Sequence, residues 1–162
     1  MFNEKGKAVS RNLITALGLG ILSCVGSAAA LAADAPFVSM KGHWVLNVKE
    51  SHWTQGGLTG GFWDVYEDDG KTRKSLLVQN TANGRINVFW FDGPYGDQLV
   101  WCNDWYREGY KSTGPASFNV TWEAERGGKV IKGGPDECKY NATGTKLTCV
   151  EPAFTEVYDK VQ

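Results

Sequence analysis

The sequence predicts an all-β fold, a single antiparallel up-and-down β-barrel of about 8–10 strands that is lipocalin-like in form. Three observations lead to this prediction. Short runs alternate between apolar and polar residues, most clearly from Phe118 to Glu125, as strands with one buried face do. Turn-forming pairs such as Asn83-Gly84 and Gly127-Gly128 separate these runs. Beyond residue 32, no segment has the spacing of apolar residues typical of an amphipathic helix.

The first 32 residues have the composition of a signal peptide. Basic residues precede the apolar stretch Leu13–Val25, and the small residues of Ala30-Leu31-Ala32 suit a signal peptidase. We therefore expect cleavage after Ala32, which leaves residues 33–162 as a single β-barrel domain. Two alternatives stay open: a retained membrane anchor formed by Leu13–Ala32, and lipidation of Cys24, which follows a loose lipobox.

Export predicts a periplasmic or secreted protein. The leader carries three basic residues and one acidic residue, so the remaining chain has 14 Lys and Arg residues against 17 Asp and Glu residues. This mildly acidic balance gives no attraction toward nucleic acid or anionic lipid. We expect no nucleic-acid partner, and no contact with a membrane unless Cys24 is lipidated.

Three cysteines follow the leader. Cys138 and Cys149 lie symmetrically about the turn in ECKYNATGTKLTCV, so they could face each other across a hairpin, and we predict a disulfide between them. An exported domain is where such bonds persist. Cys102 is then left over beside Trp101, and we expect it to be a small buried apolar side chain rather than a reactive thiol.

Most predicted strands are separated from the next by a short turn. In chain order they are Met40–Lys49, Phe62–Glu67, Thr72–Gln79, the two strands of the hairpin Arg85–Tyr106, Phe118–Ala124, Lys129–Lys132, Glu137–Tyr140, Lys146–Glu151 and Thr155–Val161. Two glycine-containing segments, Ser51–Gly61 and Arg107–Ala116, are predicted to be long loops.

The hairpin Arg85–Tyr106 contains three of the seven tryptophans. Its first strand places Ile86, Val88 and Trp90 on one face, because side chains alternate along a strand. We expect other strands to cover this apolar face. Its turn, Asp92–Asp97, contains a proline and two glycines, which exclude a helix.

The opening of the first strand resembles a known family. Gly42-His43-Trp44, soon after the leader, is similar to the Gly-x-Trp signature of lipocalins, in which the tryptophan caps the closed end of the barrel. The last strand offers Lys160 where that family carries an arginine. The segment Ser117–Val150 resembles the closing strands of small secreted bacterial lipocalin-like (calycin-like) domains. The resemblance implies a barrel with a cavity.

Loop positions predict where a ligand could enter. In an up-and-down barrel alternate loops emerge at the same end, so both predicted long loops fall together, while the tight turns Asp68–Lys71, Asp92–Asp97 and Arg126–Gly128 fall at the other end. A small apolar or aromatic molecule is the expected ligand. The predicted ligand-binding residues are Trp53, Trp63, Trp105, Tyr106 and Tyr110. The alternative is a solid barrel, filled by these rings.

Candidates for catalysis are few. His52 is the best general base, and Asp64 is a carboxylate that could assist it. The sequence contains no HxH, CxxC or HExxH spacing, so neither a metal nor another cofactor is expected. Two further functions stay open beside ligand binding. One is a small enzyme, a lyase or isomerase acting on an aromatic substrate through His52, and the other is a protein-binding barrel such as a secreted protease inhibitor.

Overall fold

The structure, a computed structural model, describes residues 37–161, and the predicted signal peptide and Cys24 lie outside them. The described residues form strands and no helix, which confirms the predicted all-β class. The strands are β1 (Gly42–Leu46), β2 (His52–Trp53), β3 (Leu58–Asp68), β4 (Thr72–Thr81), β5 (Ile86–Pro94), β6 (Val100–Asn103), β7 (Tyr106–Gly114), β8 (Ser117–Arg126), β9 (Lys129–Tyr140), β10 (Lys146–Glu151) and β11 (Phe154–Lys160). Residues 37–161 accordingly hold no helix that could span a membrane.

The strands form one antiparallel sheet that is nearly closed into an up-and-down barrel. From β3 to β11, strands next to each other in the chain are also neighbours in space. The last strand, β11, returns to β1 and places Lys160 opposite Trp44, and the two-residue β2 pairs with β11. Between β5 and β6 the backbone ladder is interrupted, and the side-chain amide of Asn103 donates to the carbonyl of Val88 there (3.1 Å).

Apart from β1 and β2, which both run antiparallel to β11, successive strands run in opposite directions, so the connections alternate between the two ends of the barrel. The open end, as we name it, carries the connection 47–57 and the turns 82–85, 104–105, 127–128 and 152–153. The closed end carries the connections 69–71, 95–99, 115–116 and 141–145.

The predicted loop Arg107–Ala116 is wrong, because most of it is strand β7. Glycine commonly interrupts strands and so predicts a loop here, but Gly109 lies inside β7, at a point where another segment of the chain passes close by. A Cβ at this position would lie 2.9 Å from the carbonyl oxygen of Gln98, so only glycine fits. The extra strand also reverses the later connections, and the turn Arg126–Gly128 therefore lies at the open end rather than the closed end.

The apolar face of the first hairpin strand points outward, contrary to prediction. The side chain of Ile86 is 67% exposed, whereas that of Phe91 is 1% exposed. The pairing of β5 with β4 places Phe91 opposite the buried Ser75 and Phe89 opposite Leu77. From Val88 onward β5 is apolar on both faces, so alternation alone could not select the inner one.

The half of the barrel nearest the closed end is filled around a buried arginine. The guanidinium carbon of Arg73 lies 4.1 Å from the ring centre of Tyr110 and 4.6 Å from that of Phe118. Arg73 also donates to the hydroxyl of Tyr95 (2.7 Å) and lies 3.7 Å from the carboxylate of Asp68. A stacked and paired guanidinium can be buried where a free charge cannot.

Trp44 also lies in this filled half, as the lipocalin resemblance implies. It is fully buried, and its indole nitrogen donates to the carbonyl of Met40 (2.6 Å). The ammonium of Lys160 lies 5.2 Å from the centre of its ring, so the last strand does supply a cation at this tryptophan.

The predicted disulfide is confirmed. Cys138 and Cys149 face each other across β9 and β10 and are bonded. Cys102 is free and buried, as expected. The two strands predicted at Lys129–Lys132 and Glu137–Tyr140 are one strand in the structure. β9 continues through Gly133-Gly134-Pro135, and its pairing with β8 is irregular between Val120 and Trp122.

Candidate functional site

The half of the barrel nearest the open end contains a cavity of about 210 Å³. Its walls are formed by strands β3, β4, β5 and β7 to β11 and by the turn between β6 and β7. The lining residues are Trp63, Leu77, Gln79, Asn87, Phe89, Trp105, Tyr106, Glu108, Val120, Trp122, Ala124, Arg126, Asp136, Cys138, Cys149, Phe154, Glu156 and Tyr158. The half of the barrel nearest the closed end is thus filled, and the half nearest the open end contains this cavity.

One wall of the cavity is a continuous row of aromatic rings. Phe89 on β5 lies 4.6 Å from Tyr106 on β7, measured between ring centres. The ring of Tyr106 stacks against that of Trp122 on β8 at 6.1 Å. Trp105, in the turn before β7, packs edge-on against Phe89 at 5.8 Å. Alternation along β5, β7 and β8 directs these side chains inward, and they present an aromatic surface to the cavity.

Two buried glutamates belong to a repeated Glu-x-Tyr arrangement. On β7 the hydroxyl of Tyr110 donates to Glu108 (2.6 Å), and on β11 the hydroxyl of Tyr158 donates to Glu156 (2.7 Å). Residues two apart share one face of a strand, so each tyrosine reaches the carboxylate beside it. Burial raises the pKa of Glu108 and of Glu156, while these hydrogen bonds act in the opposite direction.

Asp136 is the third acid in the cavity wall, on β9. Its Oδ1 atom is buried and has no hydrogen-bond partner among residues 37–161. Burial raises the pKa of Asp136 to about 8, and the negative charges of Glu151, Glu156 and Glu108 act in the same direction. A second unused group is the indole nitrogen of Trp63, which is also buried without a partner in the described chain.

The connection after β1 brings Trp53 to the open half of the barrel. This residue lies on β2 opposite Phe154 of β11, and its indole nitrogen donates to Glu156 (3.2 Å). Gly57 makes room for the indole, because a Cβ there would lie 3.2 Å from the ring and would require a positive φ of 127°. Trp53 and Glu156 also line a shallower depression beside the cavity.

The structure brings together three of the five predicted ligand-binding residues, since Trp63, Trp105 and Tyr106 line the cavity. Trp53 lies at the edge of the cavity. Tyr110 does not lie in a loop at the open end, as predicted, but on β7, where it is fully buried and contacts Arg73 and Glu108.

His52 and Asp64 do not form a pair. His52 is exposed on β2, whereas the carboxylate of Asp64 contacts the ring of His43 on the neighbouring strand. Within residues 37–161, no hydrogen bond or ion pair joins His52 to a carboxylate. Their catalytic role stays a prediction without a supporting contact.

Sequence reasoning missed the acids and several rings of the cavity. The missed residues include Phe89, Glu108, Trp122, Asp136, Phe154, Glu156 and Tyr158. The only local signal for two of the acids was the spacing in Glu108-Gly109-Tyr110 and Glu156-Val157-Tyr158, which places a glutamate and a tyrosine on the same face of a strand without showing that the face is buried. Asp136 carries no comparable local signal, because its place depends on the pairing of β8 with β9.

The acidic groups do not converge on one point. Within the described part of the chain, no group of three or more His, Cys, Asp or Glu side chains is arranged to hold a metal ion. The carboxyl groups of the cavity belong to strands β7, β9 and β11, and they face a space larger than an ion needs.

Comparison with known proteins found no match. No protein-family model, no curated protein sequence and no solved structure matches this chain.

Proposed function

We propose that this chain is an exported β-barrel protein that binds a small apolar or aromatic molecule in the cavity of its open half. The observation that carries the proposal is the cavity of about 210 Å³ with an aromatic wall. Binding sites for small molecules are typically concave and mostly apolar, with a few polar groups that fix orientation. Gln79, Asn87 and the three acids would be those groups here.

The volume of the cavity favours a ligand with a single ring. A cavity of about 150 Å³ lined by apolar side chains accepts benzene, whereas pockets for drug-sized molecules measure about 300–1,000 Å³. A volume of about 210 Å³ lies between these values. A benzene ring with a short substituent fits this range, and a fused system of three or four rings does not.

A calorimetric titration with 4-propylphenol, a neutral single-ring probe, tests the proposal. We expect saturable binding at one site per chain. Trp105→Ala should weaken it roughly tenfold, because this ring forms part of the cavity wall. Trp101→Ala is the matched control, since Trp101 is 57% exposed on the outer surface. Absence of saturable binding by 4-propylphenol, by toluene and by tyramine, an amine with the same phenol ring, would overturn the proposal. Native mass spectrometry of the purified protein would show any ligand that is retained.

A second candidate function, binding of another protein, is favoured by the outer face of β5 and β6. Val88 is 50% exposed, Trp90 41% and Trp101 57%, and exposed apolar patches often mark interaction sites. The test is capture of a partner from the exported fraction by the wild-type chain. We expect the capture to be lost in Trp90→Ser/Trp101→Ser and retained in Trp105→Ala.

The enzyme alternative gains no such observation. It depends on His52, which is exposed and, within residues 37–161, is not paired with a carboxylate that could orient it. If a substrate is found, His52→Ala decides the matter, because a general base in that role cannot be removed without loss of turnover.

A further inference from the structure

The ionisable side chains that line the cavity include three acids and one arginine. Glu108, Asp136 and Glu156 come from three different strands and reach the same space. Among the lining residues the only cation is Arg126, and it is exposed at the end of β8. The buried guanidinium of Arg73 belongs to the filled half, behind the rings of Trp63 and Tyr110.

Two of the polar groups are left without a partner. The Oδ1 atom of Asp136 accepts no hydrogen bond, and the Nε1 atom of Trp63, whose side chain is 4% exposed, donates none within residues 37–161. Buried polar groups are normally paired. An occupant with a donor for Asp136 and an acceptor for Trp63 would complete both.

The aromatic wall suits the same kind of occupant. Rings of Trp and Tyr attract cations to their faces, most strongly where water is excluded. Trp63, Trp105, Tyr106 and Trp122 surround the space that the acids face. The filled half of the barrel already uses this interaction, since Arg73 is buried against Trp63, Tyr95, Tyr110 and Phe118.

We propose that the ligand is a single-ring organic cation, an amine whose positive charge lies against Asp136 and whose ring lies against the aromatic wall. This inference rests on the proposed function, because it names the ligand class of the same cavity. A metal ion is a poorer occupant, since the acidic groups are not arranged as a metal site. With a neutral aromatic ligand the raised pKa keeps the Asp136 carboxyl protonated near neutral pH, whereas a bound cation would favour its charged form.

The experiment compares tyramine with 4-propylphenol by calorimetric titration. The two molecules have the same ring, the same hydroxyl and the same number of heavy atoms, and they differ in that an ammonium group replaces a methyl group. In a purely apolar cavity the methyl compound binds more tightly, because the ammonium group loses its hydration. In a cavity that supplies a carboxylate and aromatic faces, we expect tyramine to bind about tenfold more tightly.

The variant Asp136→Asn tests whether the preference for tyramine comes from Asp136. It keeps the size of the side chain and removes its charge, so the preference for tyramine should fall to about one while the affinity for 4-propylphenol is kept. Glu137→Gln is the matched control, because Glu137 is the next residue of β9 and points to solvent. A preference that persists in Asp136→Asn would overturn the assignment to Asp136.

Two further outcomes separate this inference from the proposed function. Equal binding of both probes, or tighter binding of 4-propylphenol, would overturn the cation proposal and leave the cavity a site for neutral rings. Binding of neither probe would overturn both proposals. If Asp136→Asn fails to fold, Trp105→Leu replaces it. That variant stays apolar but loses the ring, so it should weaken tyramine more than 4-propylphenol, and equal weakening would count against the proposal.

Discussion

The indole nitrogen of Trp53 donates a hydrogen bond to Glu156 across 103 residues of the chain (3.2 Å). The connection after β1 is thereby attached to β11 over the hollow half of the barrel. The same carboxylate accepts from Tyr158 (2.7 Å). The buried Glu156 therefore both binds the connection after β1 through Trp53 and lines the cavity.

Trp53→Phe should destabilise the fold by about 1 kcal/mol. It keeps a ring over the cavity but removes the donor to Glu156, and a lost hydrogen bond to a buried acceptor costs about 1–3 kcal/mol. Denaturant unfolding measures the change. His52→Ala is the control, since this exposed neighbour should change stability by less than about 0.5 kcal/mol. Equal effects of the two changes would contradict the importance of the Trp53–Glu156 bond.

Arg73→Met should destabilise the fold by about 3–5 kcal/mol, because it leaves the buried Asp68 without its cation. Lys74→Met, on the next residue, removes a partly exposed ion pair with Asp92 and should cost less than about 1 kcal/mol. Adding Asp68→Asn to Arg73→Met should restore part of the loss. Denaturant midpoints of the four proteins measure these effects, and a loss below about 1 kcal/mol for Arg73→Met would refute the role of this pair.

Reduction of the disulfide should lower stability by about 3 kcal/mol. The bond joins Cys138 to Cys149, 11 residues apart, and a loop of this length restricts the unfolded chain by about that amount. Thermal unfolding with and without a phosphine reductant measures the difference. The double variant Cys138→Ala/Cys149→Ala should be insensitive to the reductant. An unchanged melting temperature of the wild-type protein after complete reduction would contradict the prediction.

The empty barrel should lose stability as the pH rises from about 4 to about 8. In the folded chain the pKa of Asp136 is raised from 3.8 to about 8, chiefly by burial. Between these values the folded state holds a proton that the unfolded state has released, so raising the pH favours unfolding. Burial raises the pKa of Glu108 and Glu156 as well, and they act in the same direction.

Asp136→Asn isolates the contribution of Asp136 to this pH dependence. The melting temperature of the wild-type protein should fall relative to that of Asp136→Asn between pH 4 and pH 8. Scanning calorimetry of both proteins without ligand measures this difference. If the melting temperatures of the two proteins changed in parallel over the whole pH range, Asp136 would titrate as an exposed aspartate does.

Much of the fold could be predicted because alternation is a local property. Phe118, Val120 and Ala124 are buried on one face of β8, as their spacing indicates. The disulfide followed from symmetry about one turn. The errors arose where alternation alone does not show how one segment meets another. Gly109, for example, lies inside β7, where it leaves room for the backbone of Gln98.

The candidate site could be predicted only in part. Tryptophans near the open end, such as Trp105, stand out in a sequence. A glutamate such as Glu108 does not, because at alternate positions of a strand it indicates a solvated face. Its burial depends on Tyr110 beside it and on the closure of the barrel, which brings the acids of β7, β9 and β11 together. Closure is a property of the whole sheet, and no single segment reveals it.

The division of the barrel has a consequence for how its specificity can change. Strand β7 supplies Tyr110 to the filled half and Tyr106 to the cavity, and β3 supplies Asp68 to the filled half and Trp63 to the cavity wall. Substitutions toward the open end, such as at Tyr106, can reshape the space while the packing around Arg73 keeps the protein folded. Under the proposed function, the chain would be a scaffold on which ligand preference could be changed one side chain at a time.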